Sequence, residues 1–326
     1  MRVVFRADGG GRVGWGHLGR CAALAQVLTE TGVEVAWACR AEPAVARLTG
    51  SPPALVLKGA PSMDTLPRAE AEAVGAFAKD ADWVVVDHYG ADDAYLAALR
   101  GETGARVMVF DDHQVRTQAD LRLAPMQPEQ PHTLAGAAYQ PVRPCFYRVP
   151  SAPQREGWLL ALGGADPHDD TSTCVRALDG GQPLCVVASD ALATRQALDE
   201  AIAARRVDAR RHAWLAPKAL AECLAGCEAA LVSASTLCWE ALATGTPIVA
   251  LQTANNQAGV VETLRQAGVP VFTDAGEASN ALRLGLAARA TSDARLDGLG
   301  AWRVAQAMGV QVDLPSGASP CERSEG

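Results

Sequence analysis

Apolar runs and amphipathic stretches alternate along this chain from its first residues. The run RVVFRA at residues 2–7 predicts a strand. Apolar positions then recur at helical spacing from His17, and Gly32 ends them as a helix C-cap would. The run VEVAWAC at residues 33–39 predicts a second strand. The chain therefore begins with a βαβ unit.

The same alternation continues through the first half of the chain. The next predicted strands and helices fall at residues 55–59, 69–80, 83–90, 94–100 and 106–112. Strands this continuously apolar, separated by helices, are typical of a parallel sheet that is covered on both faces.

The pattern starts again in the second half, after a proline-rich stretch that predicts a linker between domains. The linker and the later predicted strands fall at residues 124–155, 158–162, 184–189, 229–235 and 247–252. Helices are predicted between these strands, and a glycine turn follows the first of them. Both halves thus share one architecture.

We therefore predict an α/β protein with two Rossmann-like domains, residues 1–145 and 146–302, followed by a terminal helix and a disordered tail at 303–326. Ligands of open parallel sheets bind at the carboxyl ends of the strands. Two such domains facing each other would form a binding cleft.

Composition restricts the partners. The net charge is −8 over 326 residues, so there is no basic excess for a nucleic-acid backbone. No run of about 18 apolar residues predicts a membrane span, and the short apolar start predicts no signal peptide. Cys223 and Cys227 could offer two zinc ligands, but no second pair lies nearby. We expect a cytoplasmic protein without a metal site, in which the cysteines are buried small hydrophobes.

Five glycines lie between Gly9 and Gly16, directly before His17. Glycines let the backbone approach a ligand, and a helix N-terminus directs N–H groups toward it. A dinucleotide fingerprint would need an acidic residue where the second strand ends in Cys39 and Arg40. A neutral histidine at a helix N-terminus is suited to accept a proton, although a capping or packing role is the alternative for a lone histidine.

Polar residues also follow the later strands. Asp87, His88 and Tyr89 belong to a DHYG sequence at the carboxyl end of a predicted strand, where a turn-closing role and a functional role both remain open. Asp111 and Asp112 follow the next strand, and capping aspartates are common at such positions. We expect this second pair to be structural.

The second half carries candidate phosphate-binding residues. Gly163 and Gly164 form a strand-to-helix turn, and Ser235 and Thr236 begin a helix that contains Glu240 one turn later. Hydroxyl and N–H groups at a helix start can hold a diphosphate, and a carboxylate can accept both hydroxyls of a ribose. The alternative is an N-capped helix with a solvated glutamate.

The sequences RADGGGRVGWGHLGR, VVVDHYG, ALGGADP, CWEALATGTP and ANNQ together resemble the nucleotide-sugar hydrolases of pseudaminic acid biosynthesis. These enzymes act on UDP-2,4-diacetamido-2,4,6-trideoxy-β-L-altrose. The resemblance spans about residues 1–275 and implies a GT-B-like fold, as in the UDP-N-acetylglucosamine transferase that completes lipid II. It further implies hydrolysis by water with inversion, no cofactor or metal, and a monomer whose partner is a small UDP-sugar.

The resemblance also implies residue roles, with His17 as the catalytic base. The sugar-binding residues would be Gly14, Gly16, Arg20, Tyr89, Asn256 and Gln257. The nucleotide-binding residues would be Gly163, Gly164, Leu215, Ser235, Thr236, Leu237 and Glu240. Members of the family commonly carry two glycines, a serine and a threonine where this chain has residues 234–237, so its diphosphate contacts are expected to differ.

Two other functions fit the same architecture. A GT-B glycosyltransferase with a UDP-sugar donor is the alternative, but a lipid-acting enzyme would show a basic or apolar docking patch, and residues 60–82 are acidic and alanine-rich. A catalytically silent nucleotide-sugar binding protein would retain Glu240 and Asn256 without needing His17.

Overall fold

The structure is a computed structural model that describes most of the chain in two units. The described residues are 1–10, 14–40, 45–62, 64–112, 118–127, 133–150, 152, 154–163, 166, 168–190, 193–291 and 296–315. The first unit comprises Met1–Pro141 and Leu299–Leu314, and the second contains Val142–Gly298.

The first unit is built on a seven-stranded parallel sheet. Its strands are β1 (Arg2–Ala7), β2 (Glu34–Arg40), β3 (Leu55–Leu57), β4 (Trp83–Asp87), β5 (Arg106–Phe110), β6 (Leu121–Ala124) and β7 (Thr133–Ala135). Their spatial order is β3-β2-β1-β4-β5-β6-β7. The order reverses between β1 and β4, and open parallel sheets bind ligands at the carboxyl side of such a switch point.

Four helices connect the strands of this sheet, and the sequence predicts all of them except the five-residue α2. They are α1 (Gly16–Glu30), α2 (Val45–Thr49), α3 (Arg68–Phe77) and α4 (Asp93–Glu102). Gly32 follows α1 with a φ of +82°, a conformation that glycine adopts without strain, so the predicted end of this helix is confirmed. The cap of α4 is Asp92, which accepts a hydrogen bond from Tyr95 N at 2.8 Å.

The second unit repeats this plan with a six-stranded parallel sheet. Its strands are β8 (Trp158–Ala161), β9 (Leu184–Val187), β10 (Ala209–His212), β11 (Ala229–Ser233), β12 (Ile248–Leu251) and β13 (Val271–Phe272). Its helices are α5 (Pro144–Arg148), α6 (Asp170–Ala177), α7 (Arg195–Ala203), α8 (Pro217–Gly226), α9 (Thr236–Ala243), α10 (Ala258–Gln266) and α11 (Ala275–Arg283). The strand order β10-β9-β8-β11-β12-β13 places the switch point between β8 and β11.

The last helix returns to the first unit. This helix, α12 (Gly300–Ala307), packs on α1, and Trp83 Nε1 on β4 donates to the carbonyl oxygen of Met308 at 3.0 Å. None of the helices in the described part of the chain is long and apolar enough to cross a membrane.

The predicted linker at residues 124–155 contains more structure than its sequence indicates. It includes β7, a 3₁₀ turn at Ala137–Tyr139 and α5. These elements are three to five residues long, which is too short for a helical or strand period to be recognised. The boundary between the two units, at Pro141 and Val142, nevertheless lies within this stretch.

Candidate functional site

The glycine-rich loop delivers His17 to the start of α1. Gly10 and Gly14 pair through their backbones, with N–H···O distances of 3.0 and 2.8 Å, and Gly14 has a φ of +72°. Trp15 precedes the helix without a side-chain cap, and Gly16 is its first residue. His17 is therefore held in the first turn of α1, at the carboxyl end of β1, where N–H groups point away from the helix.

His17 pairs with Asp87, the last residue of β4. The distance from His17 Nδ1 to Asp87 Oδ1 is 2.6 Å, and the two side chains are 10% and 0% exposed. An ionised carboxylate only accepts hydrogen bonds, so Nδ1 carries the proton and donates it. In the neutral imidazole Nε2 is then the nitrogen without a proton, and it has no hydrogen-bond partner among the described residues. It is the ring nitrogen that could take a proton from a substrate or from water.

Arg20, one helical turn after His17, fixes the carboxylate of Asp87. Its Nε donates to Oδ2 at 2.6 Å and its Nη2 donates to Oδ1 at 2.7 Å, while Nη1 donates to Asp112 Oδ2 at 2.7 Å. Burial alone would raise the pKa of Asp87, but the charge of Arg20 and the contact with His17 hold it far below its ordinary value. Asp87 therefore stays ionised at any working pH.

One cation and two carboxylates lie together beside His17. With His17 neutral, the single positive charge of Arg20 faces the two negative charges of Asp87 and Asp112. The cluster is thus arranged to support a general base.

Tyr89 packs its ring against the edge of His17. The ring centroids are 4.5 Å apart and the planes meet at 81°. Burial, together with the negative charge of Asp112, raises the pKa of Tyr89 to about 12. The phenol therefore remains protonated near neutral pH and keeps a hydroxyl donor beside the histidine.

The remaining DHYG residues hold this turn in place. His88 Nδ1 accepts from Gly90 N at 2.9 Å, so Nε2 carries the proton and donates to the carbonyl oxygen of Ser62 at 2.8 Å. Leu66 N donates to Gly90 O at 2.9 Å. Burial and the nearby charge of Arg6 lower the pKa of His88 from 6.5 to about 4, so the ring is neutral.

The lowered pKa of His88 predicts a pH-dependent loss of stability. The unfolded chain takes up a proton at this residue below about pH 6.5 and the folded chain only near pH 4. The free energy of unfolding should therefore fall as the pH drops through this window, by up to about 3 kcal/mol. Urea unfolding of the wild type and of His88→Gln from pH 7.5 to 4 measures this fall in the free energy of unfolding. Parallel curves for the two proteins would contradict the assignment.

Gly90 packs so closely against a neighbouring loop that alanine at this position would require the backbone to move. A Cβ atom there would overlap the carbonyl group of Asp64, which belongs to fixed backbone. We expect Gly90→Ala to lower the free energy of unfolding by about 1–3 kcal/mol. Gly101→Ala is the matched control, because its Cβ would meet nothing within 4 Å and would favour α4. Equal stabilities in denaturant titrations would show that the turn can move.

A second buried ionic cluster supports the start of the glycine loop. Asp8 accepts from Arg40 N at 3.0 Å and lies 2.9 Å from Arg6 Nη2, while Glu70 lies 2.7 Å from both arginines. The two positive and two negative charges balance, which a buried cluster requires. Sequence analysis missed this cluster, because its members come from β1, the residue after β1, β2 and α3, and no local motif joins them.

The candidate diphosphate site lies at the start of α9. Ser235 caps this helix through its hydroxyl, which accepts from Leu237 N at 3.4 Å and lies 2.8 Å from Ser233 Oγ. Thr236 makes no hydrogen bond through its N–H or hydroxyl to any described residue. Gly163 follows β8 on the same edge of the sheet, with a φ of +100°. These groups could bind phosphate oxygens.

The N-terminus of α6, the helix that follows β8, is not open to a ligand in this way. Asp166 accepts from Asp170 N at 2.8 Å and from Thr171 N at 2.9 Å, so a side chain already occupies the N-terminus of α6. The predicted contact at Gly164 lies outside the described residues. The start of α9 is therefore the better candidate for an anion.

Glu240 lies one turn into α9 with a side chain that is 16% exposed. Its nearest charged group is Arg143 Nε, 4.0 Å from Oε1, and burial raises the pKa of Glu240 above its ordinary value. Leu215 is half-buried in the loop that follows β10. Both lie in the unit that contains the candidate phosphate site.

The loop after β12 contains Asn256 and Gln257, the last two predicted sugar-binding residues. Gln257 closes this loop, since its Oε1 accepts from Thr253 N at 2.8 Å and from Ala254 N at 3.2 Å. Asn256 is exposed on the same 3₁₀ turn. Of the predicted pair, Asn256 is therefore exposed and Gln257 is half-buried with its amide oxygen bonded within the loop.

The described ranges contain no group of three histidine, cysteine or acidic residues arranged to hold a metal ion. Cys223 and Cys227 are free thiols there, and burial raises the pKa of Cys227 to about 12. A thiol of this kind behaves as a small buried hydrophobe.

Asp87 and Asp112 are the two residues whose side-chain partners sequence analysis did not identify. Asp87 lies about 70 residues from His17, and the pairing follows only from the adjacency of β1 and β4. Asp112 was expected to be structural, and its carboxylate accepts a hydrogen bond from Arg20 Nη1. The signal that could have found them is the strand order typical of doubly wound sheets, which places the ends of β1 and β4 side by side.

No protein-family model and no curated protein matches this chain. Solved structures are similar over nearly its whole length. MurG of Acinetobacter baumannii has a TM-score of 0.62 and 14% identity, covering 95% of this chain and 99% of that chain. The UDP-GlcNAc 2-epimerase of Neisseria meningitidis, bound to UDP-GlcNAc, has a TM-score of 0.59 and 10% identity, covering 94% of this chain and 99% of that chain. HepE of Anabaena, in complex with UDP, has a TM-score of 0.56 and 15% identity, covering 94% of this chain and 95% of that chain.

These likenesses establish the fold. The chain has the two parallel-sheet α/β domains of GT-B enzymes, with seven and six strands, and the predicted fold class is confirmed. At sequence identities of 10–15% these structures establish the fold alone and neither an activity nor a substrate.

Proposed function

We propose that this protein hydrolyses a UDP-linked 2,4-diacetamido-2,4,6-trideoxyhexose to free sugar and UDP. The observation that carries the proposal is the 2.6 Å pair of His17 and Asp87 at the switch point of the first sheet. The UDP-sugar class is supported by similar structures bound to UDP-GlcNAc and UDP. The choice of sugar and of water as acceptor is supported by the resemblance of the motifs around His17 and Tyr89 to the hydrolase family.

In the proposed reaction, Nε2 of His17 accepts a proton from water as the water oxygen attacks C1 of the sugar. The bond between C1 and the β-phosphate oxygen breaks, its electron pair leaves with UDP, and the configuration at C1 inverts. Asp87 holds Nδ1 protonated and stabilises the imidazolium that forms. Arg20 acts through Asp87, because its guanidinium is bonded to that carboxylate and to Asp112.

The second unit would bind the nucleotide. The free N–H of Thr236, with Ser235, Leu237 and the backbone at Gly163 nearby, would stabilise the negative charge that develops on the diphosphate. Glu240 would accept the ribose hydroxyls, with Leu215 beside the uracil and Gly164 at the glycine turn.

The remaining residues would position the sugar. Tyr89 offers a protonated hydroxyl beside His17, and the backbone at Gly14 and Gly16 offers close approach without side chains. Asn256 would contact the sugar through its exposed amide, while Gln257 holds the shape of that loop.

Hydrolysis and glycosyl transfer differ in whether water or another hydroxyl compound accepts the sugar. The purified protein is incubated with UDP-2,4-diacetamido-2,4,6-trideoxy-β-L-altrose in buffer alone, and free sugar and UDP are quantified over time. Release of both products in equal amounts supports the proposal. A strict need for an added hydroxyl acceptor would identify a glycosyltransferase instead, and binding without turnover would identify a silent binding protein.

A further inference from the structure

Glu240 is a buried carboxylate whose oxygen atoms have free hydrogen-bond acceptor positions. Its side chain is 84% buried, yet it makes no hydrogen bond to any residue in the described part of the chain. Carboxylates in such surroundings are ordinarily satisfied by two or more donors. Both oxygens of Glu240 therefore remain available to a ligand that brings donors of its own.

Arg143 is the cation that faces this carboxylate. It directly precedes α5, a helix that packs on α9, and its Nε lies 4.0 Å from Glu240 Oε1. That separation is too long for a hydrogen bond, so the pair is held by charge alone. Arg143 Nε is itself buried without a hydrogen-bond partner among the described residues.

We infer that Arg143 is a positioning residue that keeps Glu240 ionised and aimed to accept the two hydroxyl groups of a ribose. The inference rests on the proposed UDP-sugar function and adds a source of specificity for ribonucleotides over 2′-deoxyribonucleotides. Without a counter-charge, a buried carboxyl group takes up a proton and loses acceptor capacity. A carboxylate with a nearby but unbonded cation stays charged and keeps both oxygens free.

Calorimetric titration with UDP and with 2′-deoxy-UDP tests this role. The wild type should bind UDP at least about tenfold more tightly than 2′-deoxy-UDP, since one charge-assisted hydrogen bond is lost. Arg143→Gln should weaken UDP binding about tenfold and 2′-deoxy-UDP binding about threefold, because two hydrogen bonds to Glu240 weaken in UDP and one in 2′-deoxy-UDP. Arg143→Lys should retain most of the preference. Arg265→Gln, an exposed arginine on α10, is the matched control and should change neither affinity.

Glu240→Gln keeps the shape of the side chain and should lose the same preference, which gives a second test if Arg143→Gln folds poorly. Equal weakening of both nucleotides by Arg143→Gln would place the arginine on the diphosphate and overturn the inference, as would an unchanged preference in either variant. Failure of the wild type to bind UDP at all would overturn the proposed function together with it.

Discussion

Hydrolysis of the UDP-sugar should fall by about 10²- to 10⁴-fold when His17 is replaced by alanine, the usual contribution of a general base. The affinity for UDP should stay within a few-fold of the wild type, because the proposed nucleotide-binding residues lie in the other unit. Steady-state turnover and calorimetric UDP binding, measured on the same preparation, give both values.

The fold of the His17→Ala variant is checked by its thermal transition. His17 is the second residue of α1 and its partner Asp87 keeps its hydrogen bonds to Arg20, so the transition should move little. A large loss of UDP affinity in a folded variant would contradict the assignment of His17 to the chemical step.

Asp87→Asn is expected to damage both the chemistry and the fold. The amide can donate to Nδ1, which shifts the ring proton to Nε2 and removes the base; the loss in turnover should be about 10²- to 10⁴-fold, by analogy with the triad aspartate of serine proteases. Arg20 would keep its buried charge without its main partner, so the free energy of unfolding should fall by about 3–5 kcal/mol. Turnover and urea unfolding measure the two effects separately.

Asp112→Asn is the matched control for this variant. It removes a charge that Arg20 also contacts, at 2.7 Å, but leaves the Asp87–His17 pair intact. Its turnover should fall by no more than about tenfold. Equal losses in the two variants would mean that Asp87 serves the charge balance of the cluster and does not orient His17.

Much of the fold can be predicted from the sequence, because long apolar strands and amphipathic helices have a recognisable pattern of hydrophobic residues. The βαβ start at residues 2–39 and the strands ending at Asp87 and Ser233 are examples. Short elements escaped prediction for lack of length. The polar edge strand Ala209–His212 and the two-residue strand Val271–Phe272 show no alternation that could identify them.

The candidate site was predictable in part. His17 stands out because a glycine-rich loop precedes it, and this signal is local. The partners of His17 depend on which strands are neighbours, a property of the whole sheet. Arg20 illustrates the difference: the family resemblance suggests a contact with substrate, whereas the structure shows its guanidinium bonded to Asp87 and Asp112. Burial and pairing of this kind cannot be read from spacing along the chain.

The most direct test of attack by water at C1 is turnover in H₂¹⁸O, with mass spectrometry of both products at early times, before the anomeric oxygen of the free sugar exchanges. The account predicts one ¹⁸O atom in the released sugar and none in UDP, and no such product from His17→Ala on the same timescale. Label in the phosphate of UDP, or release that continues unchanged without His17, would contradict it.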